Sequence, residues 1–277
     1  MIEIGKYNTL KILRLTTVGL FLGDESGEDV LLPNKYVPEE FEIGDELEVF
    51  VYRDHEQRKV ATDLSPRLLL HQFALLQVAE VSGIGAFMDW GLEKHLMVPF
   101  SEQRQKMKPG RWYVVYLDID EKTDRLYATN KLDKHLTNEV LSVKEGDEVE
   151  LLILSETELG FTAIVNHRHK GLIYKNETFK DLNIGETLTG WVKKIRRDNK
   201  LDLSVQPLGY QNFNDENAEL IYDALTANDG SLPLNDKSSP ELIHAQFGLS
   251  KKAFKKAVGA LYKQRKITIT AEGIALV

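Results

Sequence analysis

Apolar and polar residues alternate along the chain up to about Tyr210, and beyond it the apolar residues recur at helical spacing. Alternation marks half-buried strands, whose side chains point to opposite faces at each step. The clearest runs are Leu47, Val49 and Val51, then Tyr113, Val115 and Leu117, then Leu188, Gly190 and Val192. A glycine opens each of them: Gly44, Gly110 and Gly185.

These strands belong to an internal repeat, which is the strongest signal in the sequence. Twenty-five residues before each of those glycines stands another, followed by apolar and aromatic residues: Gly19-Leu20-Phe21-Leu22, Gly85-Ala86-Phe87-Met88 and Gly160-Phe161-Thr162-Ala163. Fourteen residues after each of these, a short apolar run ends, at Pro33, Pro99 and Tyr174. Fourteen residues before them lie Gly5, His71 and Gly146, so the middle repeat breaks the glycine pattern. Each repeat reads as five short strands separated by turns such as Asp24-Glu25-Ser26-Gly27 and Asp198-Asn199-Lys200, the pattern of a small barrel. Closure in so short a segment removes exposed sheet edges. The repeats are offset by 66 and then 75 residues, so nine extra residues fall in a connector near Lys134 to Val143, with room for a helical turn. Six residues after the strand-4 glycine, where alternation points outward, stand Phe50, Tyr116 and Trp191. Three rings at one nominally exposed position predict that a neighbouring domain or connector covers them.

The C-terminal segment predicts three helices and a hairpin. Asp215 begins an amphipathic run with Ala218, Ile221, Tyr222 and Leu225. Ser239 and Pro240 start a second helix carrying Leu242, Ile243 and Phe247 and closed by Gly248. Ser250 caps a third with Phe254, Val258, Leu261 and Tyr262 inward, and two strands follow, Lys266 to Thr270 and Ile274 to Val277. This is a winged helix, a helix-turn-helix variant whose third helix commonly meets nucleic acid. The predicted fold is therefore mainly β with an α+β C-terminus: three tandem five-stranded barrels over 1–66, 67–134 and 135–208, then a winged-helix domain over 209–277.

Charge complicates a polyanionic partner, because the chain carries a net −8. The excess is local: residues 1–66 hold 7 basic and 14 acidic residues, 67–134 hold 10 and 9, 135–208 hold 10 and 12, and 209–277 hold 8 and 8. The acidic first barrel reads as a spacer, a protein-contact domain or a weak site, and binding moves to the rest of the chain. The absence of cysteine removes disulfides, thiolate metal sites and cysteine nucleophiles, and fits a reducing cytoplasm. No apolar run is long enough to span a bilayer, and the N-terminus lacks the order of a signal peptide, so a cytoplasmic location with no membrane partner is expected.

The succession of a strand, a Gly-small-Phe strand, a Gly-Leu-Ile/Val strand, an Ile-Gly-Asp loop and a long alternating strand resembles the S1-type RNA-binding domain, an oligonucleotide-binding fold. Three such domains with the C-terminal segment resemble the bacterial conserved virulence factor B family of RNA-binding proteins. The resemblance covers nearly the whole chain. It implies a regulator of gene expression, acting after transcription or linked to translation. It also implies that Phe21 and Phe87 face RNA, together with Pro33, Pro99 and Tyr174.

Single-stranded nucleic acid is held by rings that stack on bases and by cations that track the backbone. The second barrel offers Phe87 with Trp90, Lys94 and His95. The third offers Tyr174 with Arg168, Lys170, Lys175, Lys193 and Arg196, although a plain solvated surface also fits these charges. Its Phe161 is one residue out of register and is read as core, since a one-residue offset flips a strand side chain to the other face. On the third helix, Lys251, Lys252, Lys255 and Lys256 oppose the helix dipole near its N-terminus, which favours an external anion; as point charges they suit backbone contact.

No catalytic, cofactor or metal site is expected. His167 and His169 lack a third ligand, Asp118, Asp120 and Glu121 fall in the strand-4 to strand-5 turn, and neither a phosphate loop nor a glycine-flanked serine occurs. The leading reading is a non-catalytic binder of single-stranded RNA through barrels two and three and the winged helix. A DNA-binding regulator acting through the winged helix, or a ribosome-associated protein scaffold, are the competing ones.

Overall fold

The computed structural model describes residues 1–175, 182–206, 216–235, 237–270 and 272–277. It divides into two compact units, 1–207 and 208–277. Three five-stranded repeats make up the first. Strands β1 (Tyr7–Thr16), β2 (Gly19–Gly23), β3 (Asp29–Pro33), β4 (Glu46–Arg53) and β5 (Lys59–Thr62) close into a barrel in the order β1-β2-β3-β5-β4. The second repeat has β6 (Phe73–Val81), β7 (Gly85–Asp89), β8 (Leu96–Pro99), β9 (Trp112–Asp120) and β10 (Arg125–Thr129). The third has β11 (Glu148–Glu156), β12 (Gly160–Val165), β13 (His169–Tyr174), β14 (Thr187–Ile195) and β15 (Leu201–Ser204), closed in the order of the first.

One step of topology sets the second repeat apart. Its order is β10-β9-β6-β7-β8, and no ladder joins β8 to β10. In the closed barrels the corresponding strands pair in parallel, Leu31 with Val60 and Gly171, Leu172 and Ile173 with Leu201, Asp202 and Leu203. In the middle barrel β8 and β10 lie side by side as those pairs do, but without the ladder.

The repeat read from the sequence is a repeat of registers. Gly19, Gly85 and Gly160 lie opposite Pro33, Pro99 and Tyr174. A Cβ on Gly85 would stand 2.4 Å from the carbonyl oxygen of Val98, so the strands approach this closely only over glycine. Where the middle repeat puts His71 in place of glycine, its φ is +66°, in the left-handed region also occupied by Gly5 (+80°) and Gly146 (+96°). The backbone conformation is kept although the residue is not. The first strand of every repeat carries a bulge, between Ile12 and Arg14, Val78 and Glu80, and Ile153 and Ser155.

Alternation places Val49 and Val51, Val115 and Leu117, and Val192 in the barrel cores. The rings on the opposite face are covered as their recurrence suggested. Phe50 is fully buried, edge-on to Trp90 of the second barrel at 5.8 Å. Tyr116 packs on Phe73 and His135 in a cluster with Leu152 and Ile164 of the third. Trp191 remains half-buried. Backbone bonds tie the repeats as well: Leu70 N donates to Gly5 O, and Phe73 N donates to Nδ1 of His167 at 3.0 Å.

The connector holds a single 3₁₀ turn, Leu132–His135, and then an extended stretch pinned by His169. His169 is fully buried; its Nε2 accepts from Ser142 N, and its Nδ1 lies 2.6 Å from Thr137 O. Both histidines considered as metal ligands are therefore structural: His169 holds the connector and His167 the junction of barrels two and three.

The second unit contains α1 (Glu216–Ala227), β16 (Ser231–Leu232), α2 (Pro240–Phe247), α3 (Lys251–Lys263), β17 (Ile267–Ile269) and β18 (Ile274–Leu276), with sheet order β16-β18-β17. Asp215, the anticipated helix start, lies outside the described residues. Ser239 and Ser250 cap α2 and α3 by accepting from Leu242 N and Ala253 N, and Gly248 closes α2 at φ +67°. Strand β16, too short to show alternation, escapes sequence reading. One inward assignment fails: Tyr262 is 55% exposed, because Ile243, Phe247, Phe254, Val258 and Leu261 already fill the core.

Candidate nucleic-acid interface

The bulge on the first strand of each repeat sets one cross-strand pair beside the strand-2 ring position, and the three barrels fill that pair differently. In the first barrel Arg14 faces Phe21, with its guanidinium 4.0 Å from the ring centroid and 2.8 Å from Asp29. The ring is already capped. In the second, Glu80 faces Phe87, and the ring, partly exposed, lines a groove of about 490 Å³. In the third, Ser155 faces Thr162, and their hydroxyls are 2.6 Å apart. Among the described residues, no aromatic ring lines its groove of about 860 Å³.

The second-barrel groove is lined by Leu96, Met97 and Pro99 of β8 and by Arg125, Leu126 and Tyr127 of β10. Burial pushes the Tyr127 hydroxyl up to about 12, with Asp118 adding to the shift, so it stays protonated and donates to Asp118 Oδ2 at 3.1 Å. Arg125 is exposed and makes no ion pair among the described residues.

Two residues anticipated here as RNA contacts are committed to structure. Trp90 is 2% exposed; its Nε1 donates to Lys94 O at 2.6 Å and its ring packs on Phe50, so no base can stack on it. Lys94 Nζ donates to Arg53 O at 2.9 Å and Asp54 O at 2.7 Å, latching the second barrel to the β4–β5 turn of the first. Burial lowers its affinity for the proton below that of an ordinary lysine.

In the third barrel, Lys170 and Arg196 line the groove. Lys170 Nζ is 3.4 Å from Asp133, Lys175 Nζ is 2.7 Å from Glu156, and Arg196 holds Asp202 at 2.9 Å and the Tyr174 hydroxyl. Arg168 is exposed with no ion pair among the described residues, and Lys193 is exposed on β14. The Lys170–Asp133 and Lys175–Glu156 pairs are exposed and contribute about 0–1 kcal/mol, so a phosphate exchanges for the carboxylate at small cost, whereas Asp202 is largely covered. Lys252, Lys255 and Lys256 stand exposed on α3, whereas Lys251 is partly covered and its Nζ lies 3.4 Å from Lys237 O. In the first unit Phe87 and the third-barrel cations occupy separate grooves.

Sequence reasoning missed Arg53, Gln57 and Arg125, which line the second-barrel groove. A signal for the last existed. Forty residues after each strand-2 glycine stands a cation, Lys59, Arg125 or Lys200, at the head of strand five. Lys59 is bonded to Glu28 and Lys200 lies 2.7 Å from Asp198, which leaves Arg125 as the unpaired member of the three. Among the described residues no helix is long and apolar enough to cross a membrane, and no three histidine or acidic side chains gather as for a metal ion.

Comparison with known proteins agrees with this architecture. Residues 4–63 match the S1 domain family and residues 219–276 match the CvfB-like winged helix domain family. Both are nucleic-acid-binding domain types, and neither is an enzyme family. The protein named conserved virulence factor B in Staphylococcus epidermidis is 28% identical, covering 98% of this chain and 96% of its own. YitL of Bacillus subtilis is 30% identical over 95% of this chain and 90% of its own. A crystallised multidomain protein with nucleic acid binding domains from Streptococcus pneumoniae is 26% identical, with 99% and 98% coverage and a TM-score of 0.43. The S1 match falls on the first barrel, and the shared registers and bulges extend the same design to the other two. With near-complete coverage of the Staphylococcus and Bacillus relatives and a CvfB-like winged helix domain, the chain belongs to the conserved virulence factor B family.

Proposed function

We propose that the chain is a non-catalytic cytoplasmic binder of single-stranded RNA, acting after transcription or in connection with translation. RNA stacks on the second barrel at Phe87, runs along the cations of the third at Arg168, Lys170, Lys175, Lys193 and Arg196, and meets α3 of the winged helix through its lysines. The observation that carries the reading is the state of the shared ring position. One barrel caps its ring, one lacks it, and one presents it in an open groove beside an unpaired arginine. A platform kept open has use for a planar ligand, and a base stacked on it contributes about 1–3 kcal/mol.

Modest single sites suffice when several engage one strand. Fluorescence anisotropy with short single-stranded RNAs, over a salt series and against duplex DNA, tests the reading. Phe87→Ala is expected to raise Kd by about tenfold. Undetectable binding at low salt, or a clear preference for duplex DNA, overturns it.

A further inference from the structure

The second-barrel groove is not built by the second barrel alone. Tyr52, Arg53 and Gln57, from β4 and the β4–β5 turn of the first barrel, form part of its lining. We propose that this groove is a composite site for unpaired nucleotides of RNA, in which the second barrel supplies the stacking ring and the first supplies the opposite wall. The proposal rests on the reading of Phe87 as a platform.

The wall is fixed in place. Lys94 holds the turn by the carbonyls of Arg53 and Asp54, and Arg53 reaches back across the junction to Asp124 at 3.0 Å. Phe50 against Trp90 locks the two barrels beneath it. The first barrel therefore acts at its neighbour's site, while its own ring lies under Arg14.

The chemistry of the groove fits a nucleotide. Its volume of about 490 Å³ accommodates a small organic ligand, on the order of one or two nucleotides. Phe87 offers a face for a base. Arg125 is exposed, unpaired among the described residues, and offers its guanidinium to a phosphate. Of the nearby carboxylates, Asp54 is engaged by Arg58, Asp124 by Arg53 and Asp120 by the amides of its own turn, while Glu80, opposite Phe87, is exposed. Nε of Arg53 and Oε1 of Gln57 are closed off from water and lack hydrogen-bond partners. That donor and acceptor are what the edge of a base would satisfy on displacing the Gln57 amide, and leaving them unpaired is costly in the free protein.

Because the chain has no cysteine, one introduced thiol reports on one place. Gln57→Cys is alkylated with a maleimide in the full chain, with and without saturating single-stranded oligouridylate, beside Ser26→Cys on the distant β2–β3 turn. RNA is expected to slow alkylation at position 57 by about tenfold, the effect of occupying most of the sites, and to leave position 26 unchanged. Independently, Arg53→Gln is expected to raise Kd for the same RNA by about tenfold, near the effect of Phe87→Ala. Near-ultraviolet circular dichroism confirms that each variant is folded. If Phe87→Ala weakens binding while alkylation at position 57 ignores RNA, the composite site is wrong and the RNA reading stands. If the unmutated chain binds no RNA, both fall.

Discussion

Replacing Phe50 by alanine should uncouple the first two barrels. Its ring is fully buried and lies 5.8 Å from Tyr7, 6.3 Å from Tyr52 and 5.8 Å from Trp90. Truncating a buried phenylalanine costs about 3–5 kcal/mol through lost transfer energy and the cavity left behind. Phe50→Ala should fall in the upper half of that range, because Trp90 is held by its own bond to Lys94 and cannot collapse inward. At a urea slope of about 3 kcal/mol/M, the midpoint should drop by about 1 M or more. Tryptophan emission reads it: in a Trp112→Phe, Trp191→Phe background, Trp90 is the remaining indole and sits on the other side of the junction. The variant should shift Trp90 emission to the red and lower its midpoint, although the substitution is in the other barrel. A double-mutant cycle with Trp90→Ala, followed by circular dichroism, should show coupling above about 0.5 kcal/mol. Loss of less than about 1 kcal/mol, or unchanged Trp90 emission, refutes the idea that the recurring ring is the joint between barrels.

Three further outcomes follow from the same geometry. Burial lowers the proton affinity of His167, against the pull of Glu150 3.0 Å from Nε2, and its Nδ1 accepts from Phe73 N; the folded state prefers the unprotonated ring, so its contribution to stability is complete above the unfolded value near pH 6.5 and is lost as pH falls through the folded value. Urea midpoints of the chain should therefore fall below about pH 6.5, and His167→Gln should flatten that slope. Thr162→Phe restores a ring at the register that Phe87 occupies in the second barrel, at the loss of the Ser155 hydroxyl contact, and should lower Kd for single-stranded RNA by about fivefold in anisotropy measurements. Lys252→Ala together with Lys256→Ala should reduce the slope of log Kd against log salt by about 1.4, two single-strand phosphate contacts, and an unchanged slope would remove α3 from the RNA path.

The sequence made the barrels readable because a repeat doubles as its own alignment. Three glycines in common register imply common strands, and His71 adopting the left-handed backbone of Gly5 and Gly146 shows how far that register constrains the chain. The outward rings Phe50 and Tyr116 were readable for the same reason, since three aromatics on a wet face need a cover. Repetition reveals what is alike, whereas a site is built from what differs and what touches. Trp90 and Lys94 look like an aromatic platform beside a cation, yet across the junction they meet Phe50 and the Arg53 carbonyl, and both become structural. Arg14 sits seven residues from the ring it caps, and only the bulge in β1 places it there. Arg53 and Gln57 look like ordinary turn residues of an acidic domain, because nothing within a repeat says which neighbour its turns will face. A search for the site from sequence would therefore do better to ask where equivalent positions diverge: Arg14, Glu80 and Ser155 opposite the ring, and Lys59, Arg125 and Lys200 at the head of strand five. Each comparison singles out the second barrel, one by the uncapped ring and the other by the unpaired cation.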